Sequence, residues 1–123
     1  MSIFAIDHVQ IAIPVGGEAE GRRFFGELLG LDEPPKPDSM AKRGGCWFAV
    51  AGQQLHLGAE ADFCAAKKAH VALTTDDLGA VRGRLDAAGF MPCDDIPVGS
   101  RRRFFTHDPF GNRIEFMEGG SAA

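Results

Sequence analysis

The chain contains an internal repeat, and this repeat limits its possible folds more than any other feature. The segment His8–Ile13 resembles His70–Thr75, which lies 62 positions further along. Each segment is followed by apolar residues at helical spacing, and these stretches end at Gly30 and Gly89. Glycine is common just after a helix because it readily adopts the left-handed backbone conformation. The repeat therefore predicts two similar modules that each begin with a strand and a helix.

Short runs rich in β-forming residues follow each predicted helix. A turn at Ala51-Gly52 separates the first pair of runs, and the stretch Asp108–Asn112 separates the second, because Gly, Pro and Asn supply the backbone angles that turns need. The predicted strands are Cys46–Val50 and Gln54–Leu57 in the first half, and Arg103–Thr106 and Arg113–Met117 in the second. This order of elements predicts the α+β class.

The length of 123 residues, with 45% hydrophobic residues, fits a single domain made of both modules. We place the modules at about residues 4–58 and 69–118, with a linker at 59–68 and a loose tail at 119–123.

Composition excludes several classes of partner. A net charge of −4 without a long basic stripe argues against nucleic acid as a partner. No apolar run approaches the roughly 20 residues that a membrane span requires, so we expect no membrane association. The N-terminal sequence lacks the pattern of a secretory signal, and we therefore expect a cytoplasmic location.

Polar side chains recur on one face of the predicted strands. Side chains alternate between the two faces of a strand, so His8 and Gln10 lie opposite the apolar residues of their strand, and His70 does the same in the second half. His56 and Glu115 each stand between two apolar residues, and they are separated by 59 positions, the same offset as the glycines at the helix ends. Four potential ligands therefore occupy two pairs of equivalent positions.

Equivalent residues in a two-fold repeat can converge on one point, which is how a metal site is built from residues distant in sequence. We predict a metal site formed by His8, His56, His70 and Glu115. Three imidazoles and one carboxylate suit one divalent ion of Ni, Fe, Zn, Mn or Co, whereas Ca and Mg prefer oxygen ligands.

At these residues the chain resembles the vicinal oxygen chelate superfamily, which includes glyoxalase I, fosfomycin-resistance thiol transferases, extradiol dioxygenases and bleomycin-resistance proteins. The motifs that carry the resemblance are DHVQIAIP, ELLGL, AHVALTTDDL, AAGF and FFTHDPFGNRIEFME. The resemblance implies two βαβββ modules in a cup-shaped, incompletely closed barrel, usually in a homodimer, with one divalent metal inside the cup. It also implies that His8, His70 and Glu115 bind the metal, while His56 takes a position where glyoxalase I-like members have a carboxylate ligand.

The function implied by this resemblance is a metal-dependent lyase, isomerase or related enzyme acting on a small substrate chelated through vicinal oxygens. Glu115 is the candidate base, and His56 either completes the metal shell or acts as an acid or base beside it. The alternative is a metal-free protein that binds or sequesters a small molecule, as bleomycin-resistance proteins do. An extradiol dioxygenase is disfavoured by the absence of tyrosine, and a thiol transferase lacks its expected lysine and tyrosine environment.

Three further residues are candidates for binding substrate. Arg103 can bind a carboxylate or phosphate, with an exposed edge strand as the alternative explanation. Gln10 shares the predicted face of the histidines, and Trp47 forms either a pocket wall or part of the core. Whether the four metal ligands come from one chain or from both chains of a dimer stays open.

Overall fold

The structure of the chain is a computed structural model, and it describes residues 1–119. The predicted tail at 119–123 therefore lies, except for Gly119, outside the described residues. The chain forms two compact units, the first comprising Met1–Cys64 and the second beginning at Ala65.

The first unit contains a three-stranded sheet and a helical segment. Its strands lie in the order β1-β3-β2, with β1 parallel to β3 and β2 antiparallel to β3. A short 3₁₀ helix precedes β2. The elements are β1 (His8–Pro14), α1 (Glu18–Gly21), which continues as a π-helix (Arg22–Leu28), the 3₁₀ helix (Asp38–Arg43), β2 (Cys46–Val50) and β3 (Gln53–Glu60).

The second unit contains a four-stranded sheet and one α-helix. Its strands lie in the order β4-β7-β6-β5, with β4 parallel to β7 and the other pairs antiparallel. The elements are β4 (Val71–Thr75), α2 (Leu78–Ala87), β5 (Cys93–Val98), β6 (Arg101–His107) and β7 (Arg113–Glu118). The predicted α+β class is confirmed, and neither sheet closes into a barrel.

The two units differ in the number of strands that follow the helix. The βαβββ pattern implies three, and the second unit has three, whereas the first shows two among residues 1–64. The additional position in the first unit is taken by a segment with Pro34, Pro35 and Pro37, followed by the 3₁₀ helix. Proline has no backbone N–H to donate to a neighbouring strand, so this segment is poorly suited to join the sheet.

Both predicted helix ends are confirmed. Gly30 and Gly89 adopt positive φ angles of 77° and 86°. The amide that follows each glycine reaches back to the last turn, with Leu31 N donating to Phe25 O at 3.0 Å and Phe90 N donating to Leu85 O at 2.9 Å. These bonds satisfy carbonyl groups that a helix end would otherwise leave unpaired.

One face of each sheet packs against its helix. In the first unit, a Cβ added at Gly21 would lie 2.6 Å from Leu57 Cδ1, so the absence of a side chain there lets the helix approach β3. The buried apolar side chains include Ile13, Phe24, Phe25, Phe48, Leu55 and Leu57 in the first unit and Leu85, Phe104, Ile114 and Phe116 in the second. None of the helices within residues 1–119 has the length and apolar composition needed to cross a bilayer.

Candidate metal centre

The predicted polar face of the first sheet is confirmed. In the strand register, His8 lies beside Gln54, while Gln10 and Trp47 lie on either side of His56. Neighbouring residues in a sheet point to the same face, so these five side chains form one surface, which we call the first-unit face. Its positions follow from the alternation of side chains along β1 and β3.

Three aromatic rings stack on the first-unit face. The ring centroids of His8 and His56 are 4.2 Å apart with an interplanar angle of 16°, and those of Trp47 and His56 are 4.1 Å apart at 4°. His56, in the middle, is 5% exposed. Burial lowers the pKa of His56, and repulsion from His8 in its protonated form lowers it further, so the neutral imidazole of His56 is favoured.

Hydrogen bonds fix the orientation of both imidazoles in the first unit. His56 Nε2 donates to Gln54 Oε1 at 2.8 Å, and His8 Nδ1 donates to Asp7 Oδ2 at 2.9 Å. A neutral imidazole has one donor and one lone pair, so these bonds leave the lone pair on His56 Nδ1 and His8 Nε2. A lone-pair nitrogen is the form of histidine that binds a metal ion.

Glu115 is the centre of an ionic cluster on the second sheet. Glu115 is 5% exposed, and it lies between Ala72 on β4 and Phe105 on β6. His70 Nε2 lies 2.9 Å from Glu115 Oε1, and Arg103 Nη1 donates to Glu115 Oε2 at 3.2 Å. We call His70, Arg103, Phe105 and Glu115 the second-unit face.

Arg103 is held from several directions. Besides Glu115, its guanidinium contacts Asp95 Oδ2 at 3.6 Å and donates through Nε to Ile96 O at 2.9 Å. It also lies 5.3 Å from the centroid of the Phe105 ring. Because side chains alternate along β6, Arg103 lies on the same face of the sheet as Glu115. Its hydrogen bond therefore orients the Glu115 carboxylate.

The described residues bring the four predicted ligands together as two pairs, His8 with His56 in the first unit and His70 with Glu115 in the second. Across residues 1–119, no group of three or more His, Cys, Asp or Glu side chains is arranged to hold a metal ion. Each pair nevertheless supplies two donors of the right chemistry. His70 Nδ1 donates to Lys68 O at 2.9 Å, which directs its Nε2 towards a ligand, as second-shell bonds do in metal sites.

Sequence reasoning did not single out two basic residues beside the first-unit face. Lys36 and Arg43 line a cleft of about 510 Å³ together with Trp47, His8 and His56. The predicted strands gave no signal for them because Lys36 lies in the proline-containing segment and Arg43 in the 3₁₀ helix. The sequence signal that could have drawn attention to this region is the absence of a predicted strand between the first helix and β2.

Comparison with protein families shows which family the chain belongs to. A model of the Glyoxalase/Bleomycin resistance protein/Dioxygenase superfamily matches residues 5–116. The chain belongs to this superfamily. The predicted resemblance is thereby confirmed, and with it the glyoxalase-like fold. Comparison with curated proteins gives no match.

Solved structures of the superfamily agree over nearly the whole chain. A glyoxalase family protein from Bacillus anthracis is 46% identical, with a TM-score of 0.92 and 98% of each chain covered. A lactoylglutathione lyase from Agrobacterium tumefaciens is 19% identical, with a TM-score of 0.74 and 96% of each chain covered. A variant fosfomycin resistance protein from Listeria monocytogenes, complexed with Mn(II) and 1S,2S-dihydroxypropylphosphonic acid, is 16% identical, with a TM-score of 0.79, and the match covers 98% of this chain and 95% of that one. The latter two show the fold alone.

Proposed function

We propose that the chain is a metal-dependent enzyme of the glyoxalase-like type, acting as a lyase, isomerase or related catalyst on a small substrate with vicinal oxygens. One observation carries the proposal. His8 and His70 stand at equivalent positions of the repeat, and in both the Nδ1 atom is tied to an oxygen of a neighbouring residue. The Nε2 atoms of both are thereby oriented as ligands.

The proposed ligands are His8, His56, His70 and Glu115, holding one ion of Ni, Fe, Zn, Mn or Co. The proposal requires the two pairs to share this ion, either within one chain or between two chains of a homodimer. When bound, the ion acts as a Lewis acid on the substrate oxygens. Mn(II) in the fosfomycin resistance protein of Listeria monocytogenes supports a metal in this superfamily.

The protein's own residues then move the proton and hold the substrate. Glu115 is the proposed base, and the bond from Arg103 fixes which of its oxygens is directed towards His70. His56, kept neutral by burial, is a second acid or base beside the substrate. Gln10, Trp47 and Arg103 are the proposed substrate-binding residues.

A homodimer in the cytoplasm is part of the proposal. Large apolar side chains are exposed in both units, including Ile3 (90%), Phe4 (93%), Met91 (84%) and Ile96 (75%). Contiguous exposed apolar surface is typical of faces that contact another chain, and these side chains are the candidates for such a face. Light scattering coupled to size-exclusion chromatography tests this, with twice the mass of 13.2 kDa as the expected result.

Elemental analysis of the tag-free protein tests the metal directly. We expect about one metal ion of the named set per site in the wild type, loss of this ion in Glu115→Ala, and retention in Glu118→Ala. Glu118 is a suitable control because it lies on the same strand and pairs with Arg102 instead. Absence of metal after incubation with each ion would contradict the proposed enzyme.

The alternative is metal-free binding of a small molecule. It is favoured by the ionic cluster of the second unit, because His70 and Arg103 already partner both oxygens of Glu115. A ligand-binding protein should keep its ligand affinity in His8→Ala, whereas the proposed enzyme should lose its metal in the same variant. Once a ligand is found, calorimetry on this variant separates the two functions.

A further inference from the structure

The first-unit cleft combines two cations with an aromatic surface. It is lined by Lys36 and Arg43 on one side and by Trp47, His8 and His56 on the first-unit face. Its volume of about 510 Å³ falls in the range of small-molecule sites. The cleft lies wholly within residues 7–59, so its composition is a property of the first unit by itself.

Neither cation forms an ion pair with a carboxylate within the described residues, although the positive charge of Lys36 contributes to the lowered pKa of nearby Glu18. Lys36 Nζ donates to the backbone oxygen of Gly44 at 2.7 Å, which leaves further N–H groups on the ammonium. Arg43 has no carboxylate within 4.0 Å anywhere in residues 1–119. The one acidic residue that lines the cleft is Asp7, and its carboxylate accepts from His8 Nδ1.

This excess of positive charge stands out in a chain with a net charge of −4. Four of the eight other arginines pair with carboxylates within the described residues, such as Arg22 with Glu33 and Arg82 with Asp94. Unpaired Lys and Arg side chains in a concave site give charge-assisted hydrogen bonds to a bound oxyanion. The cleft is therefore complementary to a negatively charged ligand.

We propose that the first-unit cleft binds the anionic group of the substrate, a carboxylate or a phosphoryl group, between Lys36 and Arg43 and beside the plane of Trp47. This places the anion next to His8 and His56. The inference rests on the proposed function only in taking that face as the site of reaction. It identifies the substrate class as small oxyanions and adds Lys36 and Arg43 to the residues that select it.

Trp47 offers a built-in reporter, because the chain has one tryptophan and no tyrosine. We would titrate protein stripped of metal by a chelating resin with phosphonoacetate, and follow both Trp47 fluorescence and the heat of binding. Acetamide at equal concentration and sodium chloride at equal ionic strength serve as reference titrations. The expected result is saturable binding of phosphonoacetate and none of acetamide.

Variants test whether the two cations are responsible. Arg43→Gln and Lys36→Gln should each weaken binding about tenfold, since a lost bond between charged groups has effects of this size. Arg43→Lys should retain most of the affinity. Lys42→Gln is the matched control, because Lys42 is adjacent on the 3₁₀ helix but does not line the cleft, and its affinity should be unchanged.

Two outcomes overturn the inference. One is the absence of saturable phosphonoacetate binding in both measurements, and the other is an equal loss of affinity in Lys42→Gln and Arg43→Gln, which would indicate general charge attraction. Because the protein is free of metal, this test is independent of the proposed metal site. If phosphonoacetate binds but elemental analysis of the protein finds no metal, the anion site is supported and only the proposed enzyme is contradicted.

Discussion

The first-unit face and the second-unit face have the same backbone arrangement with different chemistry. Gln10 pairs in register with His56, and Ala72 at the equivalent position pairs with Glu115. In both units a histidine two residues earlier, His8 or His70, contacts the central residue diagonally across the strands. In the first unit the contact is a stack of rings, and in the second it is a polar contact of 2.9 Å between His70 Nε2 and Glu115 Oε1.

The difference shows how one framework supports two kinds of polar site. Burial favours the neutral form of the His56 imidazole, whose ring stacks on Trp47. A buried carboxylate needs a positive partner, and the second unit supplies Arg103, while His70 Nε2 contacts the other carboxylate oxygen. The equivalent positions hold an imidazole in the first unit (His56) and a carboxylate in the second (Glu115), and each group therefore requires different neighbouring side chains. The predictions below separate these two sets.

The largest expected effect is on the backbone that supports the first-unit face. Gly45 precedes β2 with a φ of 76°, and a Cβ there would lie 1.9 Å from the carbonyl oxygen of Leu57. Gly45→Ala should therefore destabilise the protein by more than about 4 kcal/mol in urea unfolding, because both the conformation and the space are wrong. Within residues 65–119 the tightest such approach is 2.9 Å, at Gly119.

Gly52→Ala is the control for this prediction. Gly52 also lies in the first unit, in the turn between β2 and β3, but a Cβ there would meet no atom within 4 Å. Its unfolding midpoint should stay close to that of the wild type. Similar losses in both variants would show that the close approach of Gly45 to β3 is not what limits stability.

The second prediction tests the ionic cluster of the second unit. Glu115→Gln removes the negative charge that pairs with Arg103, and it should destabilise the metal-free protein by about 3 kcal/mol, as breaking a buried ion pair does. Arg103 keeps its contacts with Asp95 and Ile96 O, which limits the loss. The measurement is urea unfolding at pH 7.

The matched control is Glu118→Gln, on the same strand and also paired with an arginine. Arg102 is exposed and Glu118 is partly exposed, so little change in stability is expected. If both variants lost the same stability, burial would not distinguish Glu115 from an ordinary surface carboxylate.

A third prediction concerns the carboxylate that serves the first unit. Glu18 Oε2 accepts from Gly45 N at 2.8 Å, and this backbone bond lowers the pKa of Glu18 below its ordinary value of 4.5. A lowered folded-state pKa contributes stability above pH 4.5 that is lost as the pH falls through the folded-state value. Glu18→Gln should cost about 1 kcal/mol at pH 7 after allowance for solvent screening.

The pH dependence is the decisive part of this test. The stability difference between wild type and Glu18→Gln should shrink steadily in unfolding curves recorded below pH 4.5. Glu20 lies two residues after Glu18 and is exposed, so Glu20→Gln should show no such dependence on pH. A constant difference at every pH would mean that the charge of Glu18 does not act on Gly45.

The sequence predicted the polar faces because two periodicities agreed. Alternation along a strand assigned His8 and His56 to one face, and the offset of 59 positions matched His56 with Glu115. Neither periodicity reports on loops or on close backbone contacts. The π-helix of Arg22–Leu28, the approach of Gly45 to Leu57 and the positions of Lys36 and Arg43 depend on tertiary packing, which one sequence does not reveal.

The smallest expected effect separates stacking from metal binding on the first-unit face. Trp47→Leu removes one stacking partner of His56 but no proposed ligand, and it should cost about 1 kcal/mol, the size of an aromatic contact beyond its buried area. Circular dichroism in urea measures this without the tryptophan signal, and Trp47→Phe should recover most of the loss. Under the proposed function Trp47→Leu keeps its metal, whereas His56→Gln loses affinity for it. If Trp47→Leu lost its metal as completely as His56→Gln, the ring stack would be needed to hold the imidazoles as ligands, and the two faces would differ in how they are organised as well as in charge.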